Sequence, residues 1–321
     1  MTALVPATGP YLEQILHETF EIWGEGLARG QYAAFWDAQL RTPWGRGHLD
    51  RVALVEEGAV TSSAKRYDLS GRFDGRIRRI LGIGALFTSP NRRGRGGAKR
   101  LLDLVLDAAV TEGYEFALLF SEINPAFYER LEFVPVPLVE SQWSVVRQGG
   151  APAVLVRAGD ERDLPAIAEM SAMRASGARF ALDRSEDWIK YGIAKRRLLA
   201  GLGPPGRREV EFLVSEEGHQ AVAYIVTTIE DGRWFIEDCG DRDPSGARLG
   251  ALLQVMLART PHLVAPDIRG WLPANLRPPQ VSGVVSTPTT DVLMIRPLQD
   301  RTLPLPPLDA ADVMYCRLDH F

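Results

Sequence analysis

The run Arg92-Arg93-Gly94-Arg95-Gly96-Gly97-Ala98 constrains this chain more than any other stretch, because of what flanks it. Before it lies Arg76 to Phe87, apolar enough at its centre for a strand. After it, Ala98, Leu101, Leu102, Val105 and Ala109 recur at helical spacing and give one apolar face, which Gly113 ends. A glycine-rich loop between strand and helix aims several backbone N–H groups at one place, beside the positive end of the helix dipole. Glycine omits the side chains that would hold an anion away. The segment therefore reads as a cradle for a pyrophosphate. Local charge agrees. Arg76, Arg78, Arg79, Arg92, Arg93, Arg95, Lys99 and Arg100 fall together, and no Asp or Glu stands between Gly75 and Leu102, in a chain of net charge −4.

Two familiar phosphate motifs do not fit. The P-loop needs Gly, four residues, Gly, Lys and Ser or Thr, which is absent here. The dinucleotide fingerprint needs a third glycine and a parallel strand before it. Here the preceding strands read as an antiparallel meander. Arg51 to Val55 and Val60 to Tyr67 flank a Glu56-Glu57-Gly58 turn, and a second turn over Ser70 to Gly75 leads into Arg76 to Phe87. Tyr11 to Leu40, ahead of the meander, reads as helices rich in aromatic residues.

The same order recurs in the second half. Val154 to Arg157 is a strand, and Leu164 to Met173 and Glu186 to Leu199 are helices. Phe212 to Val214, Ala221 to Thr228 and Trp234 to Glu237 are strands, with a Glu216-Glu217-Gly218 turn, and Gly246 to Ala258 is a helix. The shared order predicts a diverged tandem duplication. Phe116 to Phe120 is a buried strand, Pro125 to Leu131 a short helix, and Val139 to Val146 a last strand before a Gln148-Gly149-Gly150 linker. Pro304, Pro306 and Pro307 predict an extended stretch before the terminal segment.

The cradle resembles the acyl-CoA signature of GNAT acetyltransferases, Arg/Gln-x-x-Gly-x-Gly/Ala, matched at Arg93, Gly96 and Ala98. A second landmark follows about 30 residues on. Ser121 to Tyr128, with Leu131-Glu132-Phe133 behind it, resembles that family's strand-then-short-helix segment, with Tyr128 at its tyrosine. The resemblance implies an α/β (α+β) fold of two tandem GNAT-like domains, each a mixed, mostly antiparallel sheet flanked by helices. Residues 1–148 are then the catalytic domain, 149–300 a second, degenerate one, and 301–321 a tail that returns to the active site. It also implies a strand over Arg76 to Phe87 that splays from the Phe120 strand. The pantetheine arm of acetyl-CoA would pair with backbone at Leu86, Phe87 and Thr88. Arg93, Gly94, Arg95, Gly96, Gly97 and Ala98 would hold the pyrophosphate, and Tyr128 would protonate the leaving thiolate. Asn124 either caps the short helix or reaches the CoA.

The family's usual base, a glutamate on the strand before the cradle, has no counterpart, since Ile77 to Phe87 holds no carboxylate. Tandem organisation and an aromatic last residue resemble the enhanced-intracellular-survival family of aminoglycoside acetyltransferases, without their third domain. That resemblance implies the Phe321 carboxylate as base or amine anchor, and Trp36 is a candidate lining of the acceptor pocket. Ser121 to Tyr128 is also similar to fungal lysine N6-acetyltransferases, which implies a small amine acceptor. In the second half the matching position, Asp238 to Gly246, carries aspartates that repel pyrophosphate.

The expected activity is therefore transfer of an acetyl group from acetyl-CoA to a primary amine of a small molecule or peptide, by direct attack. A non-catalytic acyl-CoA-binding or structural role is the alternative. A net negative chain speaks against a nucleic-acid partner. Apolar runs are too short for a membrane span, His spacing suggests no metal, and two distant cysteines fit a reducing cytoplasm. A homo-oligomer is left open.

Overall fold

The meander and its duplicate account for most of the computed structural model, which describes residues 2–122, 124–147, 154–259, 267–272, 276–299 and 307–321. The linker at 148–150 and the prolines at 304 and 306 lie outside the described residues. Chain order begins β1 (Thr2–Pro6), α1 (Gly9–Trp23), α2 (Arg29–Arg41), α3 (Pro43–His48), β2 (Leu49–Glu56), β3 (Ala59–Phe73) and β4 (Arg76–Thr88). Then come α4 (Gly97–Thr111), β5 (Phe116–Ser121), α5 (Pro125–Glu129), β6 (Val134–Val136) and β7 (Val139–Val145). The rest is β8 (Leu155–Ala158), α6 (Leu164–Ala175), β9 (Phe180–Leu182), α7 (Glu186–Leu202), β10 (Arg208–Glu217), β11 (Gln220–Glu230) and β12 (Arg233–Asp241). It ends with α8 (Ala247–Arg259), β13 (Ile268–Gly270), β14 (Val281–Pro288), β15 (Val292–Pro297) and β16 (Val313–Met314).

These elements form two compact units. The first takes the described residues up to Pro137, those of 290–308, and Phe321; the second takes those of 138–289 and 309–320. In the first, the sheet runs β1-β2-β3-β4-β5-β15-β6; in the second, β8-β10-β11-β12-β13-β7-β14. Along each of these paths the strands are antiparallel except for one parallel pair, β4 with β5 and β12 with β13, and off the path β9 and β16 form a further parallel pair. The correspondence extends to the turns. Asp74-Gly75 joins β3 to β4 and Asp231-Gly232 joins β11 to β12, with all four residues at positive φ, as a two-residue hairpin turn requires. The paired strands β7 and β15 are exchanged. β7 follows the first meander in sequence but pairs with β13, and β15 follows the second but pairs with β5.

One expectation needs correction. Ser70 to Phe73 is strand and not turn, because Tyr67, Leu69, Gly71 and Phe73 alternate inward with period two and carry β3 to the Asp-Gly corner. The two Glu-Glu-Gly runs also differ by one register. The first turn is Glu57-Gly58; the second is Gly218-His219.

Helices cover the sheets as their periodicity dictates. The α4 face of Leu101, Leu102 and Val105 packs on Val52, Leu54, Ala64, Leu81 and Ile83, all buried. Fully burying such a side chain contributes about 2 kcal/mol, which fixes α4, and so the cradle before it, against β4. In the second unit α8 does the same through Leu249, Leu252 and Met256 on Ile225 and Ile236. Among the described residues no helix is long and apolar enough to cross a membrane.

Candidate functional site

The site is built on an interruption in β4. Its parallel ladder with β5 ends at Ile83–Leu119, although β4 continues to Thr88 and β5 to Ser121. On its other edge β5 is paired with β15 along its whole length, from Phe116 to Ser121, so it stays straight while β4 leaves it. The two strands therefore part beyond Ile83. On the other edge the register with β3 jumps from Lys65–Gly84 to Ser63–Phe87, so Ala85 and Leu86 together oppose Ala64. This is a bulge, and Ala85 takes φ 47° to make it, at a cost of about 1 kcal/mol for a residue with a Cβ. Leu86, Phe87 and Thr88 thus line one arm of a V whose backbone groups face no strand on the β5 side. An open strand edge of this kind can pair with an extended ligand.

At the end of that arm stands the loop. Gly94 and Gly96 adopt φ of 75° and 77°, a region closed to most residues. Gly96 is the N-cap of α4 and supplies no side-chain cap to the first amides of the helix, which leaves them directed outward. Gly97 has another reason to be glycine: a Cβ there would lie 2.8 Å from Ser62 Oγ. That hydroxyl bonds Thr88 Oγ1 at 3.0 Å, and Arg93 Nε donates to the Thr88 carbonyl at 3.3 Å. Loop, helix start and strand end are tied into one piece. The basic run, in contrast, is divided. Arg78 and Arg79 sit at the far end of β4, paired with Glu115 and Asp68, and Lys99 is paired with Asp103. Arg92, Arg93 and Arg95 are the cations that remain in the loop itself.

The other arm ends in Ser121, Glu122 and Asn124; residue 123 lies outside the described residues. Asn124 is the N-cap of α5 but makes no side-chain cap bond, so the capping alternative finds no support. Tyr128 is half-buried, edge-on to Phe127 and Phe133 at ring-centroid distances of 5.0 and 6.1 Å. Burial, and then the Glu122 carboxylate, push its phenol up to about 12, which keeps it protonated at neutral pH. Glu122 itself is raised above the ordinary carboxylate range by partial desolvation, then by Asp291 and Glu25.

Phe321 occupies the face of β4 opposite α4. Its ring lies 4.7 Å from that of Tyr67 and 5.4 Å from that of Phe120. Two strand glycines make the room. A Cβ at Gly82 would meet the Phe321 ring at 3.0 Å, and one at Gly84 would meet its terminal carbonyl oxygen at 3.4 Å. The main-chain carbonyl of Phe321 is therefore held beside the bulge. Arg51 and Lys65 lie in register with Gly84 across β2 and β3. Trp36 is buried next to them, with the Arg51 guanidinium 4.9 Å and the Lys65 ammonium 5.1 Å from its ring. Arg51 is 4% exposed, and its Nε and Nη1 have no hydrogen-bond partner. The structure thus gathers Leu86 to Thr88, Arg93 to Ala98 and Phe321 around the bulged end of β4, with Asn124 and Tyr128 following the strand that parts from it. Trp36 is 4% exposed. Sequence reasoning missed Glu122, Gly82, Gly84 and the Ala85 bulge; paired glycines inside an apolar strand were the available signal for close approach.

In the second unit the matching helix end is closed. The segment from Asp238 was expected to be loop, but β12 extends through Asp241. Asp238 is buried, its carboxylate bound by Arg184 at 2.7 Å and Tyr224 at 2.7 Å. Asp241 turns its carboxylate onto the amides of Arg248 and Leu249, at 3.0 and 2.9 Å. An internal anion thus fills the place that the first unit leaves open. Among the described residues no group of His, Cys, Asp and Glu is placed to hold a metal.

Residues 13–136 match the family model of the acetyltransferase (GNAT) domain, so the first unit carries a GNAT domain. Over nearly its whole length the chain has the fold of tandem GNAT proteins. It is similar to a GCN5-related N-acetyltransferase from Kribbella flavida, at 20% identity and a TM-score of 0.67, covering 93% of this chain and 71% of that one. It is similar to Eis1 from Mycobacterium abscessus, at 15% identity and a TM-score of 0.54, covering 93% and 74%. A tandem GNAT protein from the clavulanic acid biosynthesis pathway, at 13% identity and a TM-score of 0.54, is covered over 99% of its length by 94% of this chain. No curated protein matches it by sequence.

Proposed function

We propose that this protein is an acyl-CoA-dependent N-acetyltransferase whose first unit moves an acetyl group from acetyl-CoA to the primary amine of a small molecule or peptide. The observation that carries this reading is a coincidence in one unit: an uncapped helix start entered through left-handed glycines, at the end of a strand that bulges and parts from its neighbour. Acetyl-CoA supplies the acetyl group as a thioester. The amides of Gly94 to Ala98 and the Arg93 and Arg95 side chains fit its pyrophosphate, and the backbone of Leu86 to Thr88 fits its extended arm. Tyr128, protonated at neutral pH, is the proton donor to the departing sulfur. The Phe321 carboxylate takes the proton of the attacking amine or anchors it, and Glu122 is a second carboxylate, near enough to Tyr128 to raise its phenol.

Transfer is direct. The chain's two cysteines are Cys239 and Cys316, both free and buried in the second unit. Burial raises both thiols, that of Cys239 to about 12, so neither offers a thiolate for a covalent route. Two free thiols also fit a cytoplasmic setting. The second unit is the non-catalytic partner domain, its phosphate place already filled by Asp241.

The test is calorimetric titration of acetyl-CoA into wild type and into the double variant Arg95→Glu, Gly96→Glu. Micromolar binding lost in the variant is expected, followed by free-thiol release with an amine panel and its loss in Tyr128→Phe. Binding without turnover of any amine would leave the acyl-CoA-binding role. No binding to wild type would remove both.

A further inference from the structure

Within the second unit, the last turn of the chain, Arg317–Asp319, is held from several sides. Asp319 is the centre of the hold. It is 2% exposed, and its Oδ1 accepts from Arg184 Nε at 3.0 Å and from Trp188 Nε1 at 3.0 Å. Cys316 Sγ donates to its Oδ2 at 3.4 Å. Arg184 is itself fixed, donating to Ser171 at 3.1 Å and to Asp238 at 2.7 Å. Charge-assisted bonds of this kind orient a buried carboxylate as well as neutralise it.

The main chain of the turn is held too. Arg196 donates to the Arg317 carbonyl at 2.9 Å while it pairs with Glu237, and Lys195 donates to the His320 carbonyl at 3.2 Å. Leu318 is seated against α7 at Gly192, where a Cβ would lie 2.6 Å from it. The turn adds no strand to the sheet of the second unit. What these contacts fix is the end of the chain. Phe321 stands one Cα spacing, ~3.8 Å, beyond His320, and it carries the carboxylate that the proposed transfer uses.

We infer that Asp319 is a positioning residue for the Phe321 carboxylate, with Arg184 and Trp188 as its anchors. Holding the chain end is then what the second unit contributes to the reaction. The inference rests on the proposed role of that carboxylate.

The hold is read first without turnover. A carboxypeptidase specific for aromatic chain ends releases Phe321 only when the turn opens locally. Trp188→Phe removes one donor to Asp319, and Gly192→Ala displaces Leu318 without touching a hydrogen bond; each should speed release about tenfold or more. Asp241→Ala, whose contacts lie elsewhere in the unit, is the control and should not. A double-mutant cycle then joins Trp188→Phe to a chain extended by one alanine. Trp188→Phe should lower kcat about tenfold in the native chain with the acetyl-CoA KM unchanged, and by less than about twofold in the extended chain. Unchanged release in both variants, or an equal loss of kcat in native and extended chains, would overturn the inference and leave the role of the carboxylate intact. An extended chain as fast as wild type, or no turnover of any amine, would remove that role and the inference with it.

Discussion

Appending a single alanine after Phe321 separates the two things that this residue brings to β4. The ring is seated by Tyr67 at 4.7 Å and Phe120 at 5.4 Å, and would stay. The carboxylate beside Gly84 would become a neutral amide carbonyl, and the chain's terminal charge would move by about one Cα spacing, ~3.8 Å. If that carboxylate is the general base, its removal should lower kcat/KM by about 10²–10⁴-fold, or roughly 3–5 kcal/mol of barrier. Phe321→Ala is the complementary change, because it keeps the carboxylate and removes the ring. Two aromatic contacts at about 0.5–1.5 kcal/mol each predict a lower melting temperature and a looser carboxylate. Its rate loss should be smaller than that of the extended chain. The assay is thiol release at saturating acetyl-CoA with the best amine from the panel. If the extended chain turns over within about threefold of wild type, transition-state stabilisation has not been lost. The terminal carboxylate would then be neither base nor anchor, and Glu122→Gln becomes the decisive variant.

Three further outcomes are expected. Gly97→Ala places a Cβ 2.8 Å from Ser62 Oγ; it should cost about 1–3 kcal/mol of stability by overpacking and weaken acetyl-CoA in calorimetry, whereas unchanged affinity would detach the α4 start from the cofactor. Asp241→Ala removes the acceptor for the Arg248 and Leu249 amides; it should destabilise the protein in urea by about 1 kcal/mol without altering turnover, and a lost turnover would contradict the passive role given to that helix end. Burial, then Lys195, Arg196 and Arg317, hold His320 down to about 3 from its ordinary 6.5. The unfolded chain therefore binds this proton first, and the stability that neutral His320 allows is complete above pH 6.5 and falls as pH drops toward 3. Relative to His320→Gln, wild type should lose about 2 kcal/mol between pH 7.5 and pH 5; an equal difference at both pH values would show that His320 titrates normally.

Local features of the fold were readable because they are local. Glycines that need a left-handed backbone, a cluster of arginines without acids and an apolar face at helical spacing all lie within about 20 residues of Gly96. Asp74-Gly75 specifies a hairpin by itself, and so does Asp231-Gly232. What escaped is what depends on distant partners. Nothing in Val139 to Val145 says that it pairs with β13 rather than β5, because a strand's pattern specifies a face and not a neighbour. The turn placed over Ser70 to Gly75 was too long because Ser70, Gly71 and Arg72 are weak strand formers. Burial of Leu69 and Phe73 on one face overrides them. Glu122 was passed over because a single Glu carries no pattern; its character comes first from partial burial and then from Asp291 and Glu25, both distant in sequence. The run Arg76 to Arg100 looked like one basic patch, but an extended β4 carries Arg78 and Arg79 to the opposite end of the sheet, where acids neutralise them.

The two units show how a shared topology is given different chemistry by one side chain. In both, a strand of the parallel pair leads through a loop into a helix packed on the sheet. That geometry leaves unused amides at the helix start, and they must be satisfied. The second unit satisfies them from within, since Asp241 lies at the end of β12 and reaches Arg248 and Leu249 without any ligand. At the corresponding end of β4 the first unit has Thr88, whose hydroxyl is engaged with Ser62, and glycines that contribute no acceptor. Its helix start can be satisfied only by solvent or by an anion that arrives. A carboxylate fixed in the sequence makes one unit self-sufficient, and its omission leaves the helix start of the other open. That difference, more than the count of arginines, is why the proposed acetyl-CoA site belongs to the first unit.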